Sequence, residues 1–320
     1  MQYHLLLGTI LLTFLAVNER FSSGEDPEEK LDALGLIRYW GYPGEQYDVV
    51  TADGYILKVQ RIPYGKKSGP SANKPVIFIQ HGLECASTNW ITNLPDQSAG
   101  FIFADAGFDV WLGNFRGNTY GRGSTKYSVD SDQFWAFSWD EMAQYDLEAM
   151  INFALAKSGQ KTLSYMGHSE GTMTAFAKFS SDLQFAQKIS GFYALAPVST
   201  VGYINGALKY LSYFAGIIEW FLHLFGAREF LPSNYWVKEF DRFVCGDKVT
   251  DDLICSNILF LIAGPSNHEL NKTRIPVYLA HTPAGTSVQN VIHFVQGVKT
   301  HAFQKYDYGS ARKNRQHYGT

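Results

Sequence analysis

Three features of the chain predict an α/β fold with a mainly parallel sheet. They are short continuous apolar runs of the kind that form buried strands, a capped amphipathic helix between two of them, and a glycine-flanked serine at a strand-to-helix turn. Residues 46–60 (QYDVVTADGYILKVQ) alternate around Asp53-Gly54, the pattern of an antiparallel hairpin. Residues 75–80 (PVIFIQ) and 109–114 (DVWLGN) are apolar nearly throughout, as strands covered on both faces are. The helix opens with a capping box, Ser138-x-x-Glu141, runs to Gly159 as its stop, and carries Ala143, Leu147, Met150, Ile151, Ala154 and Leu155 on one face. A third strand leads into Ser169, and a fourth covers residues 190–197 (SGFYALAP). That fourth run has no charge and no bulge signal, so it is expected to form an unprotected sheet edge unless the tail 299–320 crosses over it. Residues 275–285 (IPVYLAHTPAG) read as a further strand.

The composition is that of a globular chain: 320 residues, 46% hydrophobic and 18% charged, with a net charge of −3, which gives no footing for a nucleic-acid partner. Residues 5–17 form an apolar run of 13, too short to cross a bilayer and suited to the core of a signal peptide over residues 1–23, with cleavage near Ser23 or Gly24. The chain is therefore expected to enter the secretory pathway. In that compartment Cys245 and Cys255, close in sequence, are expected to pair, leaving Cys85 a packed free thiol. Asn271-Lys272-Thr273 is a glycosylation sequon. Residues 205–232 are apolar on nearly every side and read either as a cap over an active site or as two packed core helices; Lys209 and Glu219 argue against a membrane span.

The pentapeptide Gly167-His168-Ser169-Glu170-Gly171 is G-x-S-x-G, a nucleophile elbow, with an apolar run before it and a helical pattern of Met173, Phe176 and Ala177 after it. A serine that transfers acyl groups needs backbone N–H donors for the developing oxyanion. The N–H of Glu170, directly after the serine, supplies one, and Leu83 in QHGLECASTNW, the loop after an early strand, supplies the second. His81 is then a loop-shaping residue and not the base. The glycine-rich GNFRGNTYGRG lacks a lysine placed for a phosphate grip and reads as a loop near the site mouth. No H-E-x-x-H, C-x-x-C, G-x-G-x-x-G or Walker pattern occurs, so neither a metal nor a nucleotide cofactor is expected.

Eight blocks in order, from YWGYPGEQYDVVTADGYIL and HGLECASTNW through DAGFDVWLGNFRGNTYGR, FWAFSWDEMAQYDLEAMI, GHSEGT, YALAPV and HTPAGTSVQN to YDYGS, resemble the acid lipases, the family of lysosomal acid and gastric lipases, and most closely its nematode members. The resemblance runs from about Leu31 to the end of the chain. It implies an α/β-hydrolase fold over residues 24–200 with an N-terminal lipase-associated region, a cap over 201–298, and the start of the C-terminal part of the core over 299–320. It also implies Ser169 as nucleophile, a Cys245–Cys255 disulfide, no cofactor, and hydrolysis of triacylglycerol or cholesteryl ester at a lipid interface. A secreted or lysosomal location follows, with no transmembrane segment and no obligate protein partner.

The chain departs from the family pattern in two ways. Glu170 stands where many members carry glutamine; pointing outward at a helix N-terminus its charge is harmless, and pointing inward it opposes catalysis. The family's triad aspartate and histidine lie on strand-end loops beyond the last matching block, and no position here matches either. Of the acids after Ser169, Asp241, Asp247, Asp251 and Asp252 fall in or near the cap, and Asp307 precedes the triad positions. His223, His268, His281, His293, His301 and His317 are the histidines available. The expectation is a truncated lipase whose serine is in place and whose helpers are not; the alternative is a lipid-binding paralogue without the triad.

Overall fold

Residues 26–204, 228–230 and 270–319 are described in the computed structural model of the chain. The apolar run 5–17, Cys245, Cys255, His223, His268, Asp241, Asp247, Asp251, Asp252 and most of the apolar stretch 205–232 lie outside them.

The hairpin forms as the alternation requires. Strand β1 (Glu45–Val50) pairs antiparallel with β2 (Tyr55–Ile62), and Gly54 at φ +104° closes the turn. Then follow β3 (Val76–Gln80), β4 (Asp109–Leu112), the short β5 (Gly123–Ser124), β6 (Leu163–His168) and β7 (Ile189–Leu195). The spatial order is β1-β2-β4-β3-β6-β7, with β5 on β2, and the run β4-β3-β6-β7 is parallel.

Strand β3 is buried at every position because its alternate side chains feed separate cores. Val76 and Phe78 join Trp111, Tyr165, Met150, Ile151 and Met173 on one face, while Ile77 and Ile79 join Val110, Leu112, Leu36, Ile37 and Phe101 on the other. Helices α1 (Ala33–Tyr39) and α2 (Ala99–Asp105) cover the second face; α3 (Leu147–Ser158) and α4 (Glu170–Ser181) cover the first.

The capping box is present, with Glu141 Oε2 accepting from Ser138 N at 2.7 Å, and Gly159 at φ +72° ends α3. The single helix expected between them is interrupted. A helical turn (Trp139–Glu141) passes into a π-helical stretch (Met142–Asp146) before α3 begins.

The expected strand at 275–285 is instead a helix, Ile275–His281. Pro276 in its first turn gives up no hydrogen bond there, and burial of Ile275 and Val277 fixes the β-branched residues in helical geometry. Beyond it, β8 (Glu229–Phe230) pairs with β9 (Thr286–Ser287), followed by helices Val288–Thr300 and Ala311–Tyr318. No described helix is long and apolar enough to cross a membrane.

Among the described residues β7 pairs only with β6, so it is the edge its sequence suggests, and Tyr193 and Leu195 are exposed on it. The tail 299–319 does not pair with this edge. It lies against the start of the 139–158 helical run, where Asp140 Oδ2 accepts from Tyr306 N at 2.8 Å and Tyr318 Oη at 3.1 Å.

A buried ion network ties the hairpin turn to the sheet. The Arg116 side chain is 1% exposed, with Nη2 at 2.7 Å from Asp146 Oδ1 and Nη1 at 2.7 Å from Asp53 Oδ2. Its guanidinium stands 3.9 Å from the Tyr55 ring centroid. Burial raises the Asp146 carboxyl to about 6 although Arg116 pulls it down. Arg116→Met strands Asp146 in the core, so urea unfolding near neutral pH should show a loss of roughly 3–5 kcal/mol. The loss should shrink toward about pH 5, where Asp146 can take up a proton.

Candidate active site

Strand β6 ends and α4 begins at one residue, Ser169, at φ +50° and ψ −115°. That left-handed state costs a residue with a β-carbon on the order of 1–3 kcal/mol and persists only where its surroundings fix it. Here they do. Ser169 N donates to Leu195 O at 3.0 Å, and Ser169 O accepts from Thr172 N at 2.8 Å and Thr172 Oγ1 at 2.6 Å. The flanking glycines are required by close approach: a Cβ on Gly167 would lie 2.7 Å from the Gly171 carbonyl, and one on Gly171 2.7 Å from His81 O.

The loop after β3 passes directly over the elbow, where a Cβ on Gly82 would lie 3.0 Å from both Ser169 Cβ and His168 Nδ1. His81 shapes this loop, as its position suggests. Its Nε2 accepts from Phe115 N and Asn118 Nδ2, both at 3.1 Å, which leaves Nδ1 to carry the hydrogen donated to Gly82 O at 2.8 Å. Burial holds the imidazole neutral by lowering it to about 4. The glycine-rich segment 113–123 packs against this loop, with Asn114 Oδ1 accepting from Ser87 N at 2.8 Å and from Asn118 Nδ2 at 3.0 Å. Leu83 follows Gly82 in the loop and Glu170 opens the helix, and no described backbone acceptor takes up the N–H of either.

Two family models match the chain: a partial α/β-hydrolase lipase region over residues 35–94 and the α/β-hydrolase fold over residues 75–244. The chain is 49% identical to the Caenorhabditis elegans lipase lipl-1, an alignment covering 98% of this chain and 78% of that one. It is 51% identical to human gastric triacylglycerol lipase over 91% of this chain and 73% of the relative. Human lysosomal acid lipase/cholesteryl ester hydrolase is 47% identical over 92% and 73%. The chain belongs to the acid lipase family.

In this acid lipase relative the fold is that of an α/β-hydrolase, and the elbow stands where its motif suggested. Among the described residues none hydrogen-bonds Ser169 Oγ. His168, next to the serine, has no partner on its buried Nδ1 and does not bond Ser169 Oγ, and the other described histidines are engaged elsewhere. His293 stacks on Trp139 at 4.2 Å and holds Ser138 Oγ and Gln304 O; burial lowers it to about 4. His281 Nε2 meets Glu28 O at 2.9 Å, His301 packs on Tyr203, and His317 stacks on Tyr308 at 3.7 Å. Asp307 accepts from Gly309 N and Asn314 Nδ2, both at 2.9 Å.

Glu170 points inward. It is 2% exposed, its Oε1 accepts from Asn290 Nδ2 at 2.6 Å, and burial raises its carboxyl to about 7. Near neutrality a large share is therefore uncharged, which removes much of the opposition expected of an inward carboxylate. Asn290 and Glu84 are the site neighbours the sequence reading missed. Cys85 is a free thiol that burial pushes up to about 12, an inert state and not a nucleophilic one. Asn271 caps the turn Lys272–Arg274, and its Nδ2, the atom a glycan would take, donates to Gln97 Oε1 at 2.9 Å.

Gly171→Ala tests the packing of the elbow. The added methyl forces helix and loop apart, and thermal or urea unfolding should show about 1–3 kcal/mol lost, against a few tenths for alanine at Gly191, whose Cβ would meet nothing nearer than 3.4 Å.

Proposed function

We propose that the chain is a lipase that cleaves the carboxylic esters of neutral lipids, triacylglycerol or cholesteryl ester, through Ser169. The observation carrying this reading is the strained, tightly packed elbow, with the loop at Gly82 pressed against Ser169 and no described backbone acceptor for the N–H of Leu83 or Glu170. In this mechanism Ser169 Oγ attacks the ester carbonyl, and the N–H groups of Leu83 and Glu170 receive the charge that develops on its oxygen. The alcohol departs with the proton the serine gave up, leaving an acyl-serine that water then hydrolyses. On this reading Ser169 is the nucleophile and the N–H groups of Leu83 and Glu170 are the donors; among the described residues no histidine or carboxylate hydrogen-bonds Ser169 Oγ.

The substrate class is taken from the two human relatives, a gastric triacylglycerol lipase and a lysosomal acid lipase/cholesteryl ester hydrolase. Their locations, with the apolar run 5–17, support a secreted or lysosomal protein carrying a Cys245–Cys255 disulfide and a glycan at Asn271. Residues 201–298 are read as a cap over the site, and no cofactor enters the reaction.

Hydrolysis of a short-chain ester and of emulsified triacylglycerol by the full chain tests the reading. Ser169→Ala should leave only the roughly 10³–10⁴ over water that an oxyanion hole and binding provide. Leu83→Pro, which deletes the N–H, should lower kcat by about 10²–10³ with little change in KM. Turnover indifferent to Ser169→Ala would sink the proposal, whereas lipid binding without Ser169-dependent turnover would favour a non-catalytic lipid-binding protein.

A further inference from the structure

Two acids, Glu170 buried and Glu84 partly buried, sit on the same pieces of backbone as the two N–H groups assigned to the oxyanion. Glu170 carries one of those N–H groups itself, and Glu84 directly follows Leu83, at φ +58°. Both are fastened by one stretch of chain, residues 284–290. Glu84 O accepts from Ala284 N at 2.7 Å, and Glu84 Oε2 accepts from Gly285 N at 3.1 Å. Glu170 Oε1 accepts from Asn290 Nδ2 at 2.6 Å. The amide of Asn290 cannot turn over without loss, because its Oδ1 accepts from Trp139 N at 2.8 Å; its NH₂ is committed to the Glu170 side.

The charges around this fastening all disfavour ionised carboxylates. Glu84 faces Glu170 from the start of α4 and Glu229 from β8, and its Oε1 is shut off from solvent without a partner. Glu229 is paired with Arg122, whose guanidinium is thereby spent. The neighbouring thiol of Cys85 is uncharged, and burial disfavours the charged imidazoles of His81, in the loop, and His168, at the end of β6. A neutral carboxyl keeps an acceptor for Gly285 N or Asn290 Nδ2. Ionised, the two would repel each other where burial outweighs the one hydrogen bond that each receives, from Gly285 N and Asn290 Nδ2.

We propose that Glu84 and Glu170 are proton-dependent positioning residues. Protonated, they hold residues 284–290 down on the loop and helix start that carry the Leu83 and Glu170 N–H groups; ionised, they release that stretch and loosen the oxyanion site. The role assigned to the N–H groups rests on the function proposed above; the fastening itself does not. The sign follows from the raised carboxyls, Glu170 to about 7 and Glu84 well above its ordinary value. The folded state binds protons that the unfolded chain has lost, so the contribution is full below the ordinary carboxyl range and disappears as pH rises through the folded values.

The test is amide hydrogen exchange on the full chain from about pH 4.5 to about pH 8, corrected for the intrinsic pH dependence of exchange, read on peptides covering 82–87 and 284–290. In the wild type, protection of both peptides should fall by roughly tenfold or more across the range. Glu84→Gln with Glu170→Gln, which keeps every acceptor and removes the charge, should hold its protection at the alkaline end. Each single variant should hold part of it, which decides the matter if the double variant does not fold. Protection that is flat with pH in the wild type, or lost equally in the glutamine variants, would overturn the proposal. A second readout is the alkaline limb of kcat, which should move to higher pH in the glutamine variants. Hydrolysis that ignores Ser169 would remove the catalytic reading while exchange still decides the fastening; Ser169-dependent hydrolysis with flat exchange would remove the fastening alone.

Discussion

Backbone lies against backbone at the centre of this molecule, with no side chain between. The carbonyls of Gln80 and His81 at the end of β3, Gly171 in the first turn of α4 and Gly167 at the end of β6 approach so closely that none of these glycines could carry a methyl group. Parallel ladders on both sides of β6 hold the strand still, and Ser169 is left the one conformation that continues into the helix. The strain stored in that residue is offset by the ladders and the helix start acting together, which is why two interior strands, β3 and β6, and not an edge of the sheet carry the site.

Around this centre the loops are stiffened by buried polar groups more than by apolar packing. His81, Asn114, Asn118 and Gln60 form a connected set in which Asn114 Nδ2 donates to Gln60 Oε1 at 2.9 Å and Asn118 Nδ2 to Cys85 O at 3.3 Å. On the opposite side, Arg274 is buried against Glu28, and Trp40 Nε1 donates to the same carboxylate at 3.1 Å, joining the first described segment to the helix Ile275–His281. Such networks fix one arrangement sharply because each member left unpaired in a dry site is costly. A loop over a nucleophile has to be placed within a fraction of an ångström, and directional bonds do this better than interchangeable hydrocarbon contacts.

Most of the sheet was legible because period and punctuation agreed. The 46–60 alternation around Asp53-Gly54, the apolar runs of β3 and β4, the stop at Gly159 and the G-x-S-x-G turn each state one local rule, and the structure obeys them. The failures have physical causes of another kind. Residues 275–285 have strand-like composition, yet the partners that anchor the start of the segment, Glu28 and Thr92 around Arg274, lie far away in the chain. The contact of Glu170 with Asn290 spans 120 residues and leaves no periodic trace. Whether a carboxylate beside the serine points inward is decided by that distant amide, so the sequence could pose the question and not resolve it. The direction Glu84 takes follows from its left-handed backbone, a state no glycine or asparagine announced.

The π-helical stretch at Met142–Asp146 interrupts a run whose apolar spacing is that of an ordinary helix. A π turn accommodates one residue more than an α turn, and everything on its N-terminal side is rotated by about a third of a turn relative to an unbroken helix. The same rod can therefore look in two directions: Asp146 faces Arg116 under the hairpin, while Trp139 lies flat on His293 and offers its N–H to Asn290. The irregularity behaves like a keyway cut in a shaft. Shortening the run by one residue would give a more regular helix and leave one of its two walls without a partner.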